Sequence, residues 1–124
     1  MDDLIYKQEC YKIIGACMEV HNELGKGFSE IVYKDALEYE FQLRNIPYER
    51  EKTFIIKYKD KKLPHSYDAD FVVFNKIALE VKAIEQLVPG NVRQTLNYLA
   101  ASKLKLGLLV NFGEDSLKHK RIIL

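Results

Sequence analysis

Three charged side chains with a regular spacing are the most chemically suggestive feature of this sequence. Asp70 is followed ten positions later by Glu80, and Lys82 lies two residues after Glu80. Residues two apart on a β-strand point to the same face, so Glu80 and Lys82 are expected to project together from an otherwise apolar segment. Charges in such a segment are costly unless they are paired or bind something. A divalent metal ion held there could promote hydrolysis of a phosphodiester bond.

Asp70 can join this group only if the two strands that carry the acids have a suitable register. The strands are predicted at residues 69–74 and 77–81. A two-residue loop between them would pair Phe71 with Glu80 and turn Asp70 to the opposite face of the sheet. We therefore predict that the loop has an odd number of residues or that the ladder contains a β-bulge.

Four further side chains are candidates for the same site. Glu30 lies in the first turn of the second predicted helix and would add a third acid. Gln94 and Tyr98 are four residues apart on the third predicted helix, so they share a face. Both are predicted to contact substrate, and Gln94 could position a phosphate or the attacking water. Tyr33 either shapes the substrate site or is a core residue with a tethered hydroxyl.

The charges of the predicted group favour a divalent cation. The carboxylates of Glu30, Asp70 and Glu80 and the ammonium group of Lys82 together carry −2. Two like charges ~4 Å apart repel by about 4 kcal/mol at an effective dielectric constant of 20, so the metal-free acids are expected to have raised pKa values. Oxygen ligands without histidine or thiolate favour Mg²⁺ or Mn²⁺ over Zn²⁺. Lys82 would then orient the attacking water or stabilise charge on phosphorus.

The same residues have an ordinary explanation, in which Glu80 and Lys82 form a structural ion pair. A short acidic–basic pattern alone favours that explanation, because such patterns often arise by chance. The preference reverses when Glu30 precedes the pattern and Gln94 and Tyr98 follow it. We therefore predict the metal site and keep the ion pair as its alternative.

The composition indicates one ordinary globular domain, residues 1–124. Hydrophobic residues make up 48% of the chain and charged residues 30%. Cys10 and Cys17 are predicted to be buried free thiols, which fits a reducing compartment. The acidic start lacks the apolar region of a signal peptide, and no apolar run approaches the ~20 residues of a membrane span. A cytoplasmic protein without membrane contact is expected.

The net charge gives little support to a nucleic-acid partner. Proteins that bind phosphate backbones usually have a basic excess, whereas this chain has a net charge of +1. A local basic patch could still be present. Four lysines at positions 57, 59, 61 and 62 are either a solvated strand face or a backbone-binding ridge, and the pattern favours the solvated face. The basic segment at residues 118–121 has the same two interpretations.

The periodicity predicts an α/β protein with a mixed central β-sheet flanked by helices. The element order is α-α-β-β-β-α-β, followed by a short edge strand. Helices are predicted at residues 3–24, 30–44 and 92–103, and strands at residues 53–59, 69–74, 77–81, 106–112 and 121–124. Asp2 or Asp3 is predicted to cap the start of the first helix, and Gly25 to end it. Ser29 is predicted to cap the start of the second helix, and Pro47 to stop it. The side chains predicted to face inward are Leu4, Tyr11, Ile14, Cys17, Met18 and His21, then Ile31, Val32, Ala36, Leu37 and Phe41, and finally Val92, Leu96, Leu99 and Ala100.

Three segments resemble known motifs. Asp70 with residues 80–82 (EVK) resembles the PD-(D/E)xK nuclease motif, with Ala69 in place of its proline. Residues 94–98 (QTLNY) are similar to the QxxxY motif of RecB-type nucleases. Residues 27–33 (GFSEIVY) resemble the signature of the GxxExxY protein family, and that resemblance extends across nearly the whole chain.

The resemblance implies a restriction-endonuclease-like core and a metal-dependent nuclease, with DNA favoured over RNA as the expected substrate. It implies that Asp70 and Glu80 are metal ligands, that Lys82 is the catalytic lysine, and that Glu30 is an auxiliary acid. Gln94 would belong to the same catalytic group.

Two residues depart from the family pattern. Asp68 stands where a basic residue is expected, and Asn91 stands where a histidine is frequent. Together with the near-neutral charge and small size, these departures leave an alternative open. In it, the chain is a non-catalytic nuclease-fold module for binding or assembly, acting with a protein partner or as a homodimer.

Overall fold

The computed structural model describes residues 4–124, which form three helices and five strands in the predicted order. The helices are α1 (Lys7–Leu24), α2 (Glu30–Leu43) and α3 (Pro89–Ser102). The strands are β1 (Tyr48–Tyr58), β2 (Lys61–Val73), β3 (Ile77–Lys82), β4 (Leu106–Asn111) and β5 (Lys118–Ile123). The predicted α/β class is confirmed. The proposed caps Asp2 and Asp3 lie outside the described residues.

The five strands form one mixed sheet in the order β1-β2-β3-β4-β5. The β3–β4 pair is parallel and the other pairs are antiparallel. A parallel pair needs a crossover connection, and α3 supplies it. Helices α1 and α2 pack on one face around Phe71, Leu79 and Leu108, while α3 covers Ala78 and Leu109 on the other. The middle strands are therefore buried on both faces.

The buried faces of the helices differ from the predicted faces. Leu4, which precedes α1, and Tyr11 and Met18 in α1 are exposed although they were predicted to point inward. Ile31 in α2 and Ala100 in α3 are exposed as well. Buried helix positions that the prediction omitted are Ile13, Ala16, Val20, Lys34, Thr95 and Tyr98. In α1, the buried stripe that includes Ile13 and Val20 is displaced by about one residue from the predicted stripe. In α2 and α3, the buried positions include the polar residues Lys34 and Thr95, which apolar periodicity does not select.

Strands β1 and β2 are longer than predicted and extend as a two-stranded ribbon. We call residues 54–67 the β1–β2 arm. The ladder shifts register between Ile55 and Lys57, where β2 contains Pro64. Proline cannot donate a ladder hydrogen bond, so a bulge is a favourable place for it. Apolar alternation predicted the strand at residues 53–59, but residues 61–67, which form the β2 half of the arm, lack that pattern. No residue of the arm is buried.

Several local predictions are confirmed. Cys10 and Cys17 are free and buried. Gly25 ends α1 with a φ of 67°, and Ser29 is the residue before α2. His21 at the end of α1 bonds through Nε2 to the carbonyl oxygen of Glu114 at 2.9 Å, as expected of a helix-end histidine rather than a ligand. Within residues 4–124, none of the helices is both long and apolar enough to cross a membrane.

Candidate active site

Asp70 and Glu80 lie side by side where β2 and β3 separate. The ladder pairs Val73 with Ile77 and ends at Phe71 opposite Leu79. The loop therefore has three residues, 74–76, so the predicted odd number is confirmed. This register places the next two residues, Asp70 and Glu80, opposite each other and on one face.

Hydrogen bonds fix this pair of acids. Oδ2 of Asp70 accepts a hydrogen bond from the backbone N–H of Val81 at 2.8 Å. The backbone N–H of Asp70 donates to Oε1 of Glu80 at 3.4 Å. The side chain of Asp70 thus replaces the ladder bond that is lost when the strands separate, and it points its other oxygen into the site.

Glu80 is the most strongly perturbed acid of the site. The residue is only 2% exposed. Burial, followed by the negative charge of Asp70, raises the pKa of Glu80 to about 10. At neutral pH the metal-free side chain is therefore protonated, and a cation that binds there must displace a proton. The prediction of raised carboxylate pKa values is confirmed for Glu80.

Glu30, at the start of α2, is close enough to the Asp70 carboxylate for its own pKa to change. Burial first, and then the negative charge of Asp70, raises the pKa of Glu30 above its ordinary value. Among residues 4–124, no side chain forms a hydrogen bond or ion pair with the Glu30 carboxyl. Glu30 is therefore an unpaired acid beside the Asp70–Glu80 pair.

Lys82 does not pair with Glu80. Its ammonium group donates to Oε1 of Gln94 at 3.0 Å, and no ion pair joins Lys82 to Glu80 within the described residues. The structural ion pair that was the ordinary alternative is absent from the structure. Glu80 therefore does not neutralise the ammonium group of Lys82, and the neutral amide of Gln94 on α3 sets the position of that group.

Tyr98 lies deeper than Gln94 on the same helix face. It is buried, and its ring meets Tyr67 edge-to-face with centroids 5.7 Å apart. Burial, followed by the negative charges of Glu80 and Asp70, raises the pKa of the Tyr98 hydroxyl. Helix α3 thus brings both predicted side chains to the acids, with Gln94 at the surface and Tyr98 beneath it.

Tyr33 does not line the site. Its side chain is fully buried, and its ring stacks on Phe112 with centroids 4.7 Å apart. Its hydroxyl donates to the carbonyl oxygen of Gly25 at 2.6 Å and accepts from the N–H of Phe28 at 3.3 Å. The prediction of substrate contact by Tyr33 is therefore corrected to the alternative of a core tyrosine with a tethered hydroxyl. Its bonds fasten the segment that leads into Glu30.

Lys34 and Glu51 join the site although the sequence did not single them out. Lys34 is only 8% exposed, and its ammonium group donates to Oδ1 of Asp70 at 3.1 Å and to Oε1 of Glu51. Burial alone would lower the pKa of Lys34, but the hydrogen bonds to Glu51 and Asp70 outweigh it and raise that pKa. The available signal was spacing, because Lys34 lies one helical turn after Glu30.

A buried asparagine fixes the chain just after Lys82. Asn111 pairs with Lys82 across the parallel ladder. Its side-chain amide accepts from the N–H of Ile84 at 3.0 Å and donates to the carbonyl oxygen of Ile84 at 2.9 Å. The backbone of Gly113 approaches the same residue so closely that a Cβ would overlap it. The exit of β3 is therefore held rigidly.

The two departures from the family pattern have structural partners. Asp68 accepts a hydrogen bond from the hydroxyl of Thr53 at 2.6 Å and ties β1 to β2. The side-chain oxygen of Asn91 accepts from the N–H of Val88 at 2.8 Å and secures the start of α3. Neither contact removes a carboxylate from the site.

The donor chemistry fits a hard divalent cation, but a three-acid cage is not assembled. In the part of the chain that the structure describes, no three acidic, histidine or cysteine side chains are close enough to hold an ion together. The predicted joint ligation by Glu30, Asp70 and Glu80 is therefore not present in this arrangement. Mg²⁺ is usually bound by one or two carboxylates with water and substrate phosphate. The Asp70–Glu80 pair meets that smaller requirement.

Comparisons with known proteins agree with this fold. The family model described as the PD-(D/E)XK nuclease superfamily matches residues 7–122, which include every residue of the candidate site. The crystal structure of SSO0001 superimposes with a TM-score of 0.60 at 20% sequence identity. The match covers 95% of this chain and 59% of that one, so the chain spans about three fifths of the length of that structure. No curated protein matches the sequence.

Proposed function

The chain belongs to the PD-(D/E)XK nuclease superfamily, and on that premise we propose that it is a metal-dependent nuclease that hydrolyses phosphodiester bonds in DNA. The observation that carries the proposal is the pairing of Asp70 with Glu80 beside Lys82, which forms no ion pair with an acid among residues 4–124. Within the superfamily, we assign the chain to the GxxExxY family. The hydrogen bond from the Tyr33 hydroxyl to the Gly25 carbonyl oxygen gives the motif at residues 27–33 a structural role, because it fixes the segment before Glu30.

Asp70 and Glu80 would hold Mg²⁺ or Mn²⁺. When bound, such an ion polarises the phosphodiester and makes water more acidic. Oδ2 of Asp70 is already held by the Val81 N–H, whereas an ion at Oδ1 would compete with the ammonium group of Lys34. Glu30 stands unpaired beside them and would orient water in the outer shell.

Lys82 and Gln94 act on the reacting phosphate in this proposal. In hydrolysis, the water oxygen bonds to phosphorus, the bond from phosphorus to one ester oxygen breaks, and a water proton ends on the leaving oxygen. Lys82 would stabilise the charge that grows on the phosphoryl oxygens. Gln94 accepts a hydrogen bond from the ammonium group and so sets its direction.

Cleavage assays and metal binding together test this proposal. Supercoiled, linear and single-stranded DNA are incubated with Mg²⁺ or Mn²⁺, using the wild type and Lys82→Ala. Cleavage that requires both the metal and Lys82 is expected. Separately, Mn²⁺ is expected to raise the melting temperature, and Asp70→Ala to abolish that rise, because a ligand of the native state stabilises it.

The outcomes separate the two candidate functions. No cleavage of any substrate would contradict the nuclease, and equal cleavage by Lys82→Ala would indicate a contaminant. A melting temperature that Mn²⁺ raises only when Asp70 is present, without cleavage, would instead favour the non-catalytic module. The near-neutral net charge of +1 is the observation that favours the second candidate, the non-catalytic module.

A further inference from the structure

The β1–β2 arm concentrates positive charge that the rest of the chain lacks. Four lysines and one aspartate give residues 54–67 a formal charge of +3. Since the whole chain carries +1, the remaining residues carry −2. The near-neutral total therefore hides a strongly basic projection on an otherwise slightly acidic body.

The side chains of the β1–β2 arm do not form part of the hydrophobic core. None of its residues is buried, and residues 57–66 are all exposed. An isolated two-stranded ribbon is only marginally stable in water. It is anchored at its base by the Thr53–Asp68 hydrogen bond and by the contact between the rings of Tyr67 and Tyr98. The fold thus supports a projecting ribbon whose outer part packs against nothing in the domain.

The lysines of the arm repel one another without compensation. Lys57 lies directly opposite Lys62 in the ladder, and like charges in that position are destabilising. Within residues 4–124, none of the four arm lysines forms an ion pair, although Lys52, just before the arm, pairs with Glu49. Lysines on a free strand edge also oppose aggregation. An external polyanion would instead relieve the repulsion.

The arm continues the strand that carries Asp70. Lys62 lies eight positions before Asp70 in β2, which corresponds to about 25 Å along an extended strand. A duplex has a rise of ~3.4 Å per base pair, so this length equals roughly seven base pairs. A two-stranded ribbon also fits the major groove of B-form DNA.

We propose that the β1–β2 arm binds the phosphate backbone of duplex DNA and holds the duplex across the Asp70–Glu80 site. The inference rests on the proposed function, since it names the surface by which that site would receive its substrate. Lys57, Lys59, Lys61 and Lys62 supply the phosphate contacts. The charge of the arm exceeds that of the whole chain, so the arm dominates backbone binding.

The test measures binding without cleavage. A labelled DNA duplex of about 30 base pairs is titrated with protein in EDTA at several salt concentrations. The arm variant carries Lys57→Gln, Lys59→Gln, Lys61→Gln and Lys62→Gln. The matched control carries Lys12→Gln, Lys76→Gln, Lys103→Gln and Lys105→Gln, four exposed lysines outside both the arm and the basic segment at residues 118–121. Both variants lose the same net charge, and circular dichroism verifies that each is folded.

The arm variant is expected to lose binding at least about tenfold at ~0.1 M salt, and its slope of log affinity against log salt is expected to fall by about 3 to 4. The control is expected to bind like the wild type. Equal losses in both variants, or no loss in the arm variant, would overturn the proposal. If the arm variant does not fold, Lys57→Gln with Lys62→Gln removes the repelling pair and is expected to reduce the slope by about 2.

Two further outcomes keep this inference separate from the nuclease proposal. Binding that depends on the arm, without cleavage in metal, supports the arm and counts against the nuclease. Cleavage with arm-independent binding overturns the arm alone. Poly-L-glutamate serves as a second probe. If it binds through the arm while the duplex does not bind, the partner is an acidic protein and the DNA inference fails.

Discussion

The ammonium nitrogen of Lys34 lies 3.1 Å from Oδ1 of Asp70. The other oxygen of Asp70 accepts from the backbone N–H of Val81. Both oxygens of the central acid are therefore occupied in the metal-free protein, one by a backbone donor and one by an internal cation. Lys34 stands where part of the charge of a divalent ion would otherwise act, and it links Asp70 to Glu51.

Replacing Lys34 with methionine is expected to destabilise the metal-free protein by about 3 kcal/mol, because a partly buried acid loses its partner. Mn²⁺ is expected to raise the melting temperature of Lys34→Met more than that of the wild type, since the ion no longer competes with an ammonium group. Urea unfolding and thermal melts with and without Mn²⁺ measure both effects.

Lys76→Met is the matched control for that experiment. Lys76 pairs with Glu9 at 3.1 Å on the surface, and its loss is expected to cost less than about 1 kcal/mol. Similar losses in the two variants, with the same response to Mn²⁺, would show that Lys34 is an ordinary ion pair.

The raised pKa of Glu80 predicts the pH dependence of stability. Burial, followed by the charge of Asp70, raises this pKa from 4.5 to about 10. Between these values the native state holds a proton that the unfolded chain has released. The free energy of unfolding is therefore expected to fall as pH rises, by up to about 1.4 kcal/mol per pH unit. Glu80→Gln keeps the neutral form and is expected to flatten this slope in urea unfolding at several pH values.

Glu23→Gln provides the comparison, because Glu23 is exposed on α1. It is expected to leave the wild-type slope unchanged. A Glu80→Gln protein that keeps the full slope would contradict the assignment of the proton to Glu80. Added Mg²⁺ is expected to reduce the wild-type slope, because a cation that replaces the proton removes the difference between the native and unfolded states.

The sequence was sufficient for the element order and for the pairing of the acids. Glu80 interrupts the apolar run of residues 77–81, and parity required either an odd loop or a β-bulge before it. The structure meets that requirement with Phe74 and Asn75 in the left-handed region, at φ values of 56° and 61°. Local periodicity and a rule of alternation therefore predicted the main geometry of the site.

Long-range contacts could not be predicted from local patterns. Lys34 is buried because Glu51 and Asp70, on two different strands, neutralise it. A basic residue in a helical pattern is ordinarily assigned to the solvent face. The β2 half of the β1–β2 arm was missed for a related reason, because residues 61–67 are not buried and show no apolar alternation. The alternation at residues 53–59 did predict the β1 half.

Tyr33→Phe tests the role of the tethered hydroxyl. The variant keeps the ring that stacks on Phe112 but loses the bonds to Gly25 and Phe28. A loss of about 1–2 kcal/mol in the free energy of unfolding is expected. The Phe28 amide is expected to exchange its hydrogen faster, because its acceptor is gone. Tyr39→Phe at an exposed position of α2 is the control, with an expected change below about 0.5 kcal/mol. Unchanged exchange at Phe28 would contradict the tether.

The contact between Lys82 and Gln94 predicts graded effects on cleavage, given the proposed nuclease activity. Lys82→Ala is expected to lower kcat by about 10²–10³, since it removes a charge aimed at the transition state. Gln94→Ala is expected to lower kcat by about tenfold, because the charge of Lys82 remains but its ammonium group is no longer held in position. Both side chains are at least partly exposed, so stability is expected to change by less than about 0.5 kcal/mol. Asn97→Ala, on an exposed face of α3, is expected to cleave like the wild type. If Gln94→Ala also does so while Lys82→Ala is inactive, the lysine acts without help from the amide.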